Sequence, residues 1–116
     1  MSREPEFMAS SGNVFTDLRL ADAGTWLAKA ELARSMTAII QERGLTQREG
    51  ARVLGIDQPN VSAITRGRLS DFSLERLLTL VNRLDMNIDI AVSPNPEPSR
   101  PPRMVVHGVV GGADRV

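Results

Sequence analysis

Cysteine is absent and histidine occurs once, at His107. A disulfide framework and a thiolate metal site are therefore excluded, and a histidine-based metal site has almost nothing to draw on. The lack of cysteine also fits a reducing compartment, so a cytoplasmic protein is expected. Aromatic residues make up only 3% of the chain, so the core has to be built from Leu, Ile, Val, Ala and Met. No stretch approaches the roughly 18 apolar residues of a membrane span. The opening MSREPEFMAS carries acidic side chains and no apolar run, unlike a signal peptide. There is no Gly-rich phosphate loop, no metal-ligand spacing and no acid–base pair beside a nucleophile. Nothing here supports an enzyme, and no cofactor is expected.

The 116 residues are 41% apolar, enough for one small domain with a modest core and no deep substrate cavity. Net charge is zero but unevenly spread. Between residues 43 and 68, Arg43, Arg48, Arg52, Arg66 and Arg68 stand against only Glu49 and Asp57. A local basic face matters more for binding than the total.

Residues 1–13 are polar and expected to be poorly ordered. A domain over 14–92 follows. Residues 93–116 form a flexible tail, with five prolines in SPNPEPSRPPR and then Gly108, Gly111 and Gly112. Val105, Val106, Val109 and Val110 are available to dock weakly on a partner.

Within the domain, Val14–Leu18 is an apolar patch ahead of a first helix, which Asp22 or Thr25 is expected to cap. Leu32, Met36, Ile39 and Ile40 repeat at helical spacing, and Trp26, Ala30 and Ala33 extend the apolar face backwards. Trp26 is expected to anchor a core or an interface. Gly44 stops this helix. Thr46 with Glu49 three residues later makes a capping box for a second helix, which ends at Gly55. Asp57 caps a third, with Pro59 in its first turn, where the missing N–H is harmless. Ser73 or Asp71 starts a fourth, with Leu74, Leu77, Leu78, Val81 and Leu84 as its stripe. The period then changes. Met86, Ile88, Ile90 and Val92 alternate with Asn87, Asp89 and Ala91, which predicts a half-buried strand. Its partner is either Val14–Leu18 or a second copy, and these four residues are the expected dimerisation surface, since an unpaired apolar edge is a liability.

Two short helices joined by Gly55-Ile56-Asp57 have the spacing of a helix-turn-helix, whose second helix is suited to the DNA major groove. Ala51 has to be small at the helix crossing, and Gly55 supplies the positive φ of the turn. Leu54, Ile56, Val61 and Ile64 join the pair to the core. Gln58, Asn60, Ser62, Ala63 and Arg66 are left outside, small or amide side chains suited to base edges and a guanidinium suited to phosphate.

Thr46 to Arg68 resembles the helix-turn-helix of the XRE (Cro-type) repressors, through Gln47, Glu49, Ala51, Leu54, Gly55, Ile56, Gln58, Val61, Ser62, Ile64, Gly67 and Arg68. The resemblance covers about residues 30 to 84. It implies a mainly α, lambda-repressor-like bundle of four or five helices, here with the short C-terminal strand added. The segment Asn13–Leu18, the run Ile56-Asp57-Gln58-Pro59 and the segment Phe72–Leu77 resemble a compact subgroup that includes HigA-type antitoxins, encoded beside a RelE-like ribonuclease toxin. The resemblance implies a repressor that binds a palindromic double-stranded operator as a homodimer, with such a toxin as a possible partner. A stand-alone phage or host repressor is the alternative. It further implies that Gln47 bonds a phosphate and buttresses Gln58, that Gln58 reads adenine, and that Arg66 and Arg68 hold phosphates. Asn60, Ser62 and Ala63 become candidate base or phosphate contacts, and Arg43 and Arg48 weaker phosphate contacts. Gly50 departs from the family pattern, which usually has Ala or Leu there.

Overall fold

The computed structural model describes residues 12–109, with the side chains of the first helix described from Ala23 onward. Four helices follow one another: α1 Gly12–Glu42, α2 Gln47–Leu54, α3 Gln58–Thr65 and α4 Leu74–Arg83. The architecture is mainly α and contains the expected helix-turn-helix in α2 and α3.

The first helix starts earlier than its sequence signals suggest. Asp22 and Thr25 lie inside it rather than capping it, and Val14–Leu18 is helical. The reason is the lack of any strong breaker: residues 12–42 contain no proline, and one interior glycine, Gly24, costs only about 1 kcal/mol. The helix ends as expected, with Gly44 in the left-handed region at φ 66° and Leu45 N–H donating to the Ile40 carbonyl at 3.0 Å. The expected disorder of residues 1–13 falls mostly outside the described residues, while Gly12 and Asn13 open α1.

Leu32, Met36, Ile39 and Ile40 of α1 meet Leu54 of α2, Val61 and Ile64 of α3, and Leu77, Val81 and Leu84 around α4. Leu69 and Phe72, in the loop before α4, are buried with them. On α4, Leu74 and Leu78 are only half-buried, whereas Leu80 is fully inside. A helix that packs against both α1 and α2 needs a wider apolar arc than a single stripe. Trp26 is not a core residue: it is 58% exposed, beside an equally exposed Leu27.

The expected strand over residues 86–92 is not formed. The segment leaves α4 through Asp85, at φ 65°, and runs without a ladder. One of its two prospective partners, Val14–Leu18, belongs to α1, and no strand is present among the described residues to pair with it. Met86 and Ile88 instead pack against the chain's own core, while Ile90 and Val92 stand out at 76% and 95% exposure. Residues 93–109 have no helix or strand, but Val106 and Val109 return to the bundle and pack on it.

Candidate nucleic-acid interface

The capping box forms as the sequence dictates. Glu49 N–H donates to Thr46 Oγ1 at 3.0 Å, and Thr46 N–H donates to Glu49 Oε1 at 2.8 Å. Two otherwise orphaned donors are thereby satisfied, and Gln47 becomes the first, exposed residue of α2. Gly50 faces inward. A Cβ there would meet Ile40 Cδ1 and Val61 Cγ1 at 3.8 Å each, ordinary van der Waals contact. The glycine is therefore not demanded by a close helix approach.

The turn between the two helices is fixed from three sides. Gly55 sits at φ 72° and its N–H donates to the Ala51 carbonyl at 2.8 Å. Ile56 N–H reaches the same carbonyl at 3.1 Å while its side chain packs against the core. Arg83 of α4 donates from Nη1 to the Leu54 carbonyl at 2.7 Å. That bond covers the carbonyl end of α2, and the guanidinium lies so close that a Cβ on Gly55 would stand 3.0 Å from Nη1. Sequence reasoning missed Arg83, because its partner is a main-chain oxygen 29 residues away, and no local spacing signals that.

Asp57 takes the extended conformation of an N-cap, and its carbonyl accepts from Val61 N–H at 3.1 Å, but its side chain makes no capping bond. Its carboxylate still lies at the positive end of α3. Pro59 occupies the first turn, as expected. Val61 and Ile64 are each 1% exposed and fix which way α3 faces. At about 100° per residue, Pro59, Ser62, Ala63 and Arg66 fall opposite that buried pair, with Gln58 beside them. Gln58, Pro59 and Arg66 are exposed. Ser62 is half-buried, and Ala63 is half-buried against the core. Asn60 lies on the flank of the arc and is also half-buried. Thr65 closes the helix, its hydroxyl donating to the Ser62 carbonyl at 3.0 Å. Arg68 is exposed in the following turn, and its N–H donates to the Ala63 carbonyl at 2.8 Å.

Gln47 and Gln58 are thus exposed at the starts of successive helices, Arg66 at the end of the second, and Arg68 just beyond. Arg43, Arg48 and Arg52 are exposed as well, and Arg43 also reaches Met86 Sδ at 3.7 Å. Pro59 was not foreseen as part of the outward arc, although its place in the first turn was. Among the described residues no group of three or more His, Cys, Asp or Glu is placed to hold a metal, and no helix is long and apolar enough to cross a membrane.

Residues 14–93 match a family model described as a helix-turn-helix domain. Among solved structures, a chain described as a candidate XRE family transcriptional regulator is 38% identical, with a TM-score of 0.70. The similarity covers 76% of this chain and 99% of that one. No curated protein matches the sequence.

Proposed function

The chain belongs to the helix-turn-helix domain family, as an XRE-family transcriptional regulator, and from that premise we propose that it is a homodimeric repressor that reads a palindromic operator with α3. The observation that carries this reading is the outward arc of α3. Arg66 is exposed opposite the buried Val61 and Ile64, with the exposed Gln58 beside that arc, on a segment with five arginines against two carboxylates. Gln58 pairs through its amide with N6 and N7 of an adenine, a geometry few other side chains offer. Asn60, Ser62 and Ala63 line the groove beside it. Gln47, Arg66 and Arg68 hold phosphates and set the register without reading sequence. Two copies place their recognition helices about 34 Å apart, one turn of duplex.

The same reading makes the protein the antitoxin of a RelE-like ribonuclease and the repressor of their shared operon. Its support is the resemblance of Asn13–Leu18 and Phe72–Leu77 to that subgroup. Phe72 is buried and Ser73 caps α4, so these two residues of the second segment serve the fold.

Fluorescence anisotropy on duplex DNA from the region upstream of the protein's own reading frame tests the DNA reading. Affinity for this duplex is expected to exceed that for a scrambled one by at least about a thousandfold. Equal affinity for both removes the sequence-specific repressor. Co-purification of the neighbouring frame's product tests the antitoxin role, and its absence leaves a stand-alone repressor.

A further inference from the structure

The last described residues of the tail meet α1 through their main chain. Val109 N–H donates to Ser35 Oγ at 3.2 Å, and the Val109 carbonyl accepts from Arg34 Nη2. The Glu31 carboxylate lies against Gly108 and is held by the Arg34 guanidinium. Ser35 is 4% exposed, and it is the one polar side chain buried among the described residues. Its hydroxyl accepts from the tail, so this buried polar group has its partner in the tail's main chain. Val106 and Val109 pack against the core on either side of the contact. Gly108 is seated so closely that a Cβ would overlap Ser35 Oγ and the Glu31 carboxylate. Gly24, Gly44 and Gly67, by contrast, have open space where a Cβ would go.

We infer that the α1 edge formed by Glu31, Arg34 and Ser35 is a binding site for an extended peptide backbone, selective for glycine at its centre, and that its occupant is the chain's own Val106–Val109 segment. Both main-chain groups of Val109 are recognised, the Val106 and Val109 side chains pack on the core, and Gly108 has to carry no side chain. Residues 89–105 between the bundle and the site are exposed throughout, so the segment arrives as a tethered ligand. A tether raises the effective concentration to the millimolar range or thereabouts, so a site of modest intrinsic affinity stays filled in cis and opens when the tail is displaced. The site does not depend on the DNA reading and stands or falls separately from it.

The test uses the full-length chain. In Gly108→Val, amide exchange across residues 104–109 is expected to be at least about tenfold faster than in wild type, the loss of roughly one well-made polar contact. Exchange in α2, α3 and α4 should be unchanged, which also shows that the variant folds. A synthetic peptide with the sequence of residues 104–110 should then bind the vacated site of this variant saturably. Its Gly108→Ala counterpart should bind at least about tenfold more weakly. Ser35→Ala is the second variant, and it should speed tail exchange without altering the sequence of the tail. Tail amides that exchange equally fast in wild type and both variants overturn the proposal. So does a peptide that fails to bind, or binds no better with glycine than with alanine.

Discussion

Gln58 and Arg68 are both exposed, yet they are expected to fail differently. Gln58→Ala removes a bidentate amide, so operator affinity should fall by roughly 1–3 kcal/mol and the preference for adenine at one position per half-site should vanish. On the proposed reading Arg68 holds a phosphate, and Arg68→Ala removes that contact. Every duplex should weaken alike, and the slope of log affinity against log salt should flatten by about 0.9 per lost contact. Anisotropy over a salt series, with adenine-substituted duplexes, separates the two. Gly50 offers the opposite case. A Cβ there meets two methyl groups at 3.8 Å, so Gly50→Ala should stabilise the domain by about 0.5–1 kcal/mol. Thermal unfolding should show this as a rise of several degrees. Glu31 adds a pH dependence. Arg34 hydrogen-bonds its carboxylate and holds its pKa below the ordinary value near 4.5, with the Gly108 N–H and Ser35 acting in the same direction. A depressed folded pKa means the contribution is complete above about 4.5 and lost as pH falls through the lower, folded value. Tail amides measured by exchange should therefore lose protection only under acid conditions. The exposure of Gln58 and Arg68 was legible, because they stand at fixed spacings from a recognisable turn. The glycine-specific seat at Gly108 was not, because its partners lie more than seventy positions away.

The elements α2, α3 and α4 were legible from their ends. Thr46 with Glu49, Pro59 in a first turn, and Ser73 accepting from Arg76 N–H at 3.0 Å are local devices written in short spacings. The start of α1 and the fate of residues 86–92 were not legible, for different reasons. A helix without a breaker runs on past a good capping residue, so Asp22 carried no stop. Alternation of period two describes any extended segment with one side on a core, and Met86 and Ile88 satisfy it without a ladder. The element that matters most for function is the turn of the helix-turn-helix, and it is over-determined. Thr46→Ala removes one side-chain cap and should cost about 1 kcal/mol. Gly55→Ala should cost more, because the substituted residue has to hold φ 72° and also displace the Arg83 guanidinium from 3.0 Å. Arg83→Met keeps most of the stem and removes the bond to the Leu54 carbonyl. In Arg83→Met the added penalty of Gly55→Ala should shrink, as chemical denaturation of the four members of a double-mutant cycle would show. Equal penalties in both backgrounds would mean that Arg83 does not constrain the turn.

For the whole molecule, the question is what a second copy would touch. The segment assigned to dimerisation is divided in the structure. Met86 and Ile88 are committed to the chain's own core, and only Ile90 and Val92 are left outward. Deleting residues 86–92 would therefore damage the fold and the interface together, and loss of the dimer would not distinguish them. The double variant Ile90→Asp with Val92→Asp separates them, because both side chains are already in solvent in the single chain. Two carboxylates facing their symmetry mates repel across an apolar pairing surface, and like charges brought together cost more than the lost contact alone. The variant should sediment as a monomer and melt, at concentrations where wild type is already monomeric, at an unchanged temperature. It should still hold a single half-site but lose the tight binding of the full palindrome, since each recognition helix then binds alone. A dimer that persists by sedimentation would remove residues 90–92 from the interface. An unchanged affinity for the palindrome in a proven monomer would be the more serious result, because it would mean that the spacing of two α3 helices is not what the protein measures on DNA.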